Sequence, residues 1–208
     1  MNKEEIISVL ETLKKERERK FDQSVDLIIN LRDFDLKKNT INLFISLPHP
    51  LKNKKICAFL ENSSPLFDKV ILKSEFVKWK TKSEIKTLVR DYDFFASQAS
   101  LMPAVATTFG RFLGPASKMP SPQLGILAQA NEQSIKELKE KVQNSMRIRA
   151  KEPSIKLCVG KQSMKPEEIA ENITKVYHEL INVLPNKKEN LKSVIIKLTM
   201  SKPHKLTL

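Results

Sequence analysis

The spacing of apolar residues changes several times along the chain, and each change marks an element. Ile6, Ile7, Leu10 and Leu13 recur at helical intervals ahead of a charged stretch of mixed sign, Lys14–Lys20, and predict a surface helix over roughly residues 3–17. From Phe21 the pattern becomes β-prone. Ser24–Leu31 and Ile41–Leu47 read as strands, with a loop reaching Asn39 between them. Pro48-His49-Pro50 closes the second strand, and two prolines around one residue make a stiff, extended exit suited to a crossing between lobes. His49 has no partner of catalytic type nearby in sequence and reads as structural.

The middle of the chain has a different rhythm. Lys54–Leu60, Lys69–Leu72 and Asp93–Ser97 are short strands; Ser83–Arg90, Leu101–Phe112 and Asn131–Ser145 are helices, the last with Ile135, Leu138 and Val142 on one face; Met146–Arg149 adds a last strand. Such alternation implies a parallel-leaning, layered α/β lobe. Lys151-Glu152-Pro153 breaks it. Ile155–Val159 is then a strand and Gly160-Lys161-Gln162-Ser163 a turn, before a helix opened by Pro166, Glu167 and Glu168 with Ile169, Ile173, Val176, Tyr177 and Leu180 on its buried face. A loop over Pro185–Lys192, a strand over Ser193–Met200 and a basic tail over Ser201–Leu208 complete the chain. The outer segments thus supply helix–strand–strand and strand–helix–strand, which form one sheet only if the two ends meet. The expected organisation is a discontinuous domain of residues 1–50 and 151–208, with residues 51–150 inserted as a second domain.

Charge narrows the partner. The 208 residues carry a formal net charge of +13, and a polyanion, most commonly nucleic acid, is the usual reason for such an excess. Residues 1–50 are neutral, with 9 basic and 9 acidic side chains, whereas residues 51–150 carry 17 against 9 and residues 151–208 carry 11 against 6. The excess therefore lies in the middle and C-terminal parts, not in a basic tail alone. An anionic membrane surface and simple solubility stay open on charge. No apolar run approaches the roughly 18–20 residues needed to span a bilayer, and the N-terminus does not read as a signal peptide. Cys57 and Cys158 are isolated, which fits small buried hydrophobes in a reducing cytoplasm and gives no disulfide framework or metal cluster. His49, His178 and His204 are far apart and show neither triad nor metal spacing, and Asp91-Tyr92-Asp93 reads as a strand boundary. The Lys-rich, alternating middle lobe nevertheless leaves a nucleotide-binding enzyme as one alternative and a non-specific basic nucleic-acid-binding protein as another.

Two of the four glycines and three of the eleven prolines fall within Gly110–Gln123, a shaped loop that also carries Arg111 and Lys118. It is either a surface connector or a phosphate-binding loop, although it lacks the Gly-Lys-Ser/Thr ending of a nucleotide loop. Within it, Leu113-Gly114-Pro115-Ala116-Ser117-Lys118-Met119-Pro120 resembles the signature of the L-one family, the first protein of the large ribosomal subunit, with Ser117 where that family commonly has Gly. Further similarities follow in the family's order and cover nearly the whole chain: Lys20-Phe21-Asp22-Gln23-Ser24-Val25-Asp26; Leu47-Pro48-His49; Gly160-Lys161-Gln162-Ser163 with Pro166-Glu167 and Ala170-Glu171-Asn172-Ile173; and Lys197-Leu198-Thr199-Met200, with Ser201 in place of a glycine. The ending Met200-Ser201-Lys202-Pro203 leans towards the archaeal and eukaryotic branch.

The resemblance implies a two-lobe α/β fold: a split α/β sandwich domain formed by both termini, with an inserted three-layer, Rossmann-like α/β domain. It implies a non-enzymatic protein of the cytoplasmic ribosome, without cofactor or membrane and monomeric when free. Its partners would be large-subunit ribosomal RNA on the lateral stalk near the tRNA exit site, exit-site tRNA, and a similar structure in messenger RNA through which it represses translation. Carried over by position, the RNA face holds Phe21 and Ser24 from the first strand and Ser193, Thr199, Met200 and Ser201 from the last. Chemically this is coherent, because folded RNA is read through backbone shape and 2′-OH groups within reach of small hydroxyl side chains. Phe21 and Met200 would pack on sugars, and Lys20, Lys161, Lys197 and Lys202 would contact phosphates, adding affinity but little specificity.

Overall fold

The computed structural model describes residues 2–16, 19–35, 41–79, 81–128, 131–150 and 152–207, with the side chain of Glu16 excepted. The end of the expected loop to Asn39, the charged pair at 17–18, Lys151 and Leu208 lie outside the described residues. In chain order the elements are α1 (Lys3–Glu16), β1 (Ser24–Leu31), β2 (Asn42–Ser46), β3 (Ile56–Leu60), β4 (Lys69–Leu72), α2 (Lys82–Asp91), β5 (Phe94–Gln98), α3 (Met102–Leu113), β6 (Ile126–Leu127), α4 (Glu132–Asn144), β7 (Ser145–Arg149), β8 (Ser154–Lys161), α5 (Pro166–Val183), β9 (Leu191–Leu198) and β10 (His204–Leu206). Residues 1–51 and 144–208 form one compact unit, and residues 52–143 form the other.

The first unit is built on an antiparallel sheet in the order β10-β9-β1-β8. Strict alternation in β1 sends Val25, Leu27, Ile29 and Leu31 into the core, where they meet Leu10 and Leu13 of α1 and Ile169, Ile173, Val176 and Leu180 of α5. Ile28 and Ile195 point to the opposite face of the sheet, outside that core. Asn172 of α5 is fully buried and fixes the chain's exit. Its amide donates to His49 O and Val159 O, both at 3.0 Å, and its Oδ1 accepts from His49 N at 3.1 Å. The His49 ring meets Glu171 Oε2 at 2.9 Å, and Lys3 donates to Glu171 Oε1 at 3.2 Å. Those two contacts, the histidine's first, hold the Glu171 carboxyl below its usual range. His49 is thus part of a structural clasp.

The second unit is a parallel sheet in the order β4-β3-β5-β6. All five residues of β3 are buried, as a strand covered on both faces requires. Phe59 and Phe95 face α2 and α3 in a cluster with Phe76 and Phe109, while Ile56, Ala58 and Ala96 face Ile135, Leu138 and Val142 of α4. Three layers result. Cys57 lies wholly inside, and burial pushes its thiol up to about 12.

Four boundaries differ from the pattern-based expectation. Met146–Arg149 does not end the inserted lobe: β7 pairs antiparallel with β2 as a separate two-stranded ribbon of the first unit. Its polar–apolar alternation, with Ile148 buried and Arg149 exposed, suits a half-covered antiparallel strand better than a parallel one buried on both faces. Consequently β2 does not join the four-stranded sheet. Gly160 and Lys161 belong to β8 rather than to a turn, whereas Thr199 and Met200 fall in a turn rather than in β9. The basic tail contains β10, held because Leu206 is buried and Glu5 Oε1 accepts from both Thr207 N and Thr207 Oγ1.

Candidate RNA interface

The start of β1 brings together most of the residues carried over by resemblance. Ser24 is registered against Lys161 of β8, and on its other side Val25 is registered against Leu198, immediately before Thr199. Thr199 N donates to Ser24 O at 3.1 Å, and Ser24 N donates to Thr199 Oγ1 at 3.1 Å. Beside this closure Phe21 and Met200 are 52% and 60% exposed, among the few large apolar side chains left in solvent. Single exposed apolar side chains are ordinary, but two at one edge are the beginning of an apolar patch of the kind that marks an interaction surface. Lys20 and Lys202 are exposed nearby in sequence, and Lys161 stands 3.8 Å from Asp22 in a solvent-exposed pair that binds weakly.

Two residues that sequence reasoning missed organise this edge. Gln23 is only 3% exposed. Its Oε1 accepts from Met200 N at 3.1 Å and its Nε2 donates to Gln162 Oε1 at 3.2 Å, while Gln162 N donates to Gln23 O at 2.8 Å. One side chain therefore ties the turn after β9 to the turn after β8. Asp22 performs the second tie: its carboxylate accepts from Ser163 N at 3.0 Å and from Ser163 Oγ at 2.9 Å. Both stand inside the quoted stretch Lys20–Asp26, so adjacency to Phe21 and Ser24 was the available signal.

The hydroxyl groups do not all face outward. Ser201 Oγ accepts from Leu198 N at 2.8 Å and lies 3.1 Å from Lys202 O, so it closes the turn from within. Its backbone is not among the positive-φ positions, which is why a side chain is tolerated where the family has glycine. Ser193 stands apart from the cluster. It is 9% exposed, accepts from Asn30 Nδ2 at 3.0 Å, and lies about 17 Å along β9 from the Thr199 end. Lys197 shares the open sheet face with Asp26, its register partner; burial raises the Asp26 carboxyl and the Lys197 charge opposes that rise. The N–H groups of Thr199, Met200 and Ser201 are all donated within the fold, so what remains to meet a ligand is the Ser24 hydroxyl, the carbonyls of the 199–201 turn, two apolar side chains and the nearby lysines.

Residues 110–113 form the last turn of α3 rather than a loop, and the loop that follows, 114–123, has a different task. Lys118 Nζ donates to Val89 O at 2.6 Å and to Tyr92 O at 2.7 Å, capping the C-terminal end of α2. Two of the three ammonium donors of that side chain are thus committed to the fold. Ser117 sits at φ 57°, the left-handed region that explains the glycine usual there. Among the described residues, no group of three or more His, Cys, Asp and Glu side chains could hold a metal ion, and no helix is long and apolar enough to cross a membrane.

An antiparallel sheet built from both ends of the chain and a parallel three-layer insertion define a two-unit α/β protein. Residues 13–202 match the model of the Ribosomal protein L1p/L10e family, and the chain belongs to that family. Among its relatives, the large ribosomal subunit protein uL1 of Pyrobaculum islandicum is 37% identical, with 98% of this chain and 93% of the relative covered. The uL1 proteins of Nanoarchaeum equitans and Pyrococcus horikoshii are 35% and 34% identical, over 92% and 93% of this chain and 95% and 90% of their own lengths. These relatives are archaeal, consistent with the archaeal and eukaryotic branch towards which the Met200–Pro203 ending leans. The family is one of structural ribosomal proteins, so the chain is not an enzyme.

Proposed function

We propose that this protein is a constituent of the large ribosomal subunit that binds large-subunit ribosomal RNA on the lateral stalk, near the tRNA exit site, in the cytoplasm. The observation that carries this reading is the edge at the start of β1, where Phe21 and Met200 stand exposed around turns that Gln23 and Asp22 hold in place before any partner arrives. Preset carbonyl and hydroxyl groups suit the 2′-OH groups of a folded RNA, and apolar neighbours that exclude water strengthen each hydrogen bond. The same edge would take a similar fold in messenger RNA, which supports a repressor role, and the stalk position would bring it near exit-site tRNA.

Binding of a stalk-region ribosomal RNA fragment and of an unrelated hairpin, over a salt series, tests the reading. A preference of several kcal/mol that persists at high salt is expected. Equal affinities that collapse together with salt would leave only phosphate attraction and overturn the assignment. A stalk-like messenger fragment competing for the same edge would establish the repressor role, and failure to compete would remove it.

A further inference from the structure

The second unit carries an asymmetric helix. Lys82, Lys86 and Arg90 recur at every fourth position of α2 and fall within about 80° of arc, roughly 6 Å apart along the axis. Glu84 and Asp91 lie on the other exposed flank, facing Lys69 and Trp79 across a cleft of about 320 Å³. Ile85 and Leu88 anchor the helix in the core, and Lys118 holds its last carbonyls. The basic flank is therefore a rigid ridge.

Its charges are available. Among the described residues no carboxylate lies within ion-pair distance of Lys82 or Lys86, and Arg90 meets only its neighbour Asp91 at 3.2 Å, with both side chains exposed. Such an exposed pair exchanges readily for a stronger anion. The exposed surface next to the cations is Ser83 and Thr87, and Val89, the aliphatic neighbour of Lys82 and Lys86, is partly buried against the core, so among the described residues α2 sets no fully exposed apolar anchor or wedge beside its cations. Regularly spaced point charges on a rigid support, without an apolar centre, fit a polyphosphate backbone.

We propose that the Lys82–Lys86–Arg90 ridge is a second RNA contact, sequence-independent and separate from the edge at β1, that engages the phosphate backbone of the same ribosomal RNA. This rests on the RNA-binding reading above and adds to it a contact made by the inserted unit.

The test uses the full chain. The double variant Lys82→Gln, Lys86→Gln is compared with Lys136→Gln, Lys141→Gln, which removes the same charge from α4 of the same unit. All four side chains are exposed, so both variants keep the fold. With a stalk-region ribosomal RNA segment as probe, the α2 variant is expected to bind roughly five- to tenfold more weakly at low salt. Its slope of log affinity against log salt should be shallower by about 1.5, the loss of two phosphate contacts. The α4 variant should leave the slope unchanged. If the two variants behave alike, net charge is the whole effect and the ridge is not a contact. If RNA binding is untouched while binding to anionic phospholipid vesicles falls, the ridge belongs to a membrane surface and the proposal is wrong. Met200→Ala separates this from the first reading, since it should lower affinity with the salt slope intact. Should Met200→Ala bind normally, the β1 edge is misassigned even where the ridge holds.

Discussion

In the proposed reading Gln23 shapes the RNA edge without touching RNA, because its side chain ties the two turns together. Truncating it to alanine leaves Met200 N and Gln162 Oε1 without their partner beneath the turn surface, a cost of about 1–3 kcal/mol in stability. Because both turns then lose their common tether, RNA affinity should fall at least tenfold with little change in salt slope; titration of Gln23→Ala at two salt concentrations checks this. An unchanged affinity would show that the turns hold their shape unaided. Glycine positions separate two kinds of constraint. Ser117 occupies φ 57°, so Ser117→Gly should raise stability by up to about 1 kcal/mol in denaturant titration. At Gly160 the constraint is space: an added Cβ would lie 2.8 Å from Ile169 Cγ1, and Gly160→Ala should cost about 1–3 kcal/mol. The loop containing Ser117 was legible as a shaped loop because glycine and proline declare themselves. Gln23 and Asn172 were not legible as organisers, since a buried amide is defined by what long-range folding brings to it.

Elements were easiest to read where one period ran uninterrupted. Helix α5 and strand β1 follow their patterns closely because a single buried face fixes each of them. Strand ends were less legible: β8 continues through Gly160 because Ser24 and Val25 offer it register partners, and β10 exists only because β9 offers an edge. The β2–β7 ribbon could not be assigned by pattern at all, as its two strands are about a hundred residues apart in sequence. Helix ends in the second unit rest on lysines, and this has a consequence for pH. Lys54 Nζ donates to Val142 O at 2.7 Å near the end of α4, and burial lowers its ammonium to about 8 from the ordinary 10.5, with Asp93 partly opposing the fall. Between about pH 8 and 10.5 the unfolded chain then holds a proton that the native one has released, so this group adds stability as pH rises through that window. Cys57 works in the opposite sense above its unfolded value of 9.0, because its thiol stays protonated in the fold. Comparing wild type with Lys54→Met cancels that contribution. The stability difference should shift in favour of wild type by about 1 kcal/mol between pH 8 and 10, after allowance for solvent screening. A flat difference would mean that Lys54 keeps its proton in the folded state.

At the scale of the molecule the chain divides into two units, each with its own core, and the sheet and core of the first are built from residues of its own two segments. Leu47 N donates to Asn144 O at 2.8 Å, and Ser46 is registered against Ser145. The two chain segments that leave the first unit are therefore already clamped side by side at its margin. Replacing residues 52–143 by a short Gly/Ser linker closes a small gap, and loop-closure entropy grows only slowly with length, so the excised chain loses little by that change. It should fold cooperatively, with the β1 edge intact, because Gln23, Asp22, Thr199 and their partners all lie in the retained segments. Its preference for the stalk-region RNA over a control hairpin should survive, since the groups that read shape are kept. Its salt slope should become shallower, by at least the change seen on removing Lys82 and Lys86, because the whole ridge on α2 is gone. Calorimetric unfolding and RNA titration of the excised chain measure both. Loss of shape preference in a cooperatively folded product would move the reading surface into the inserted unit. An unchanged salt slope would instead remove the ridge while leaving the edge, so affinity and specificity can be assigned to different units by one deletion.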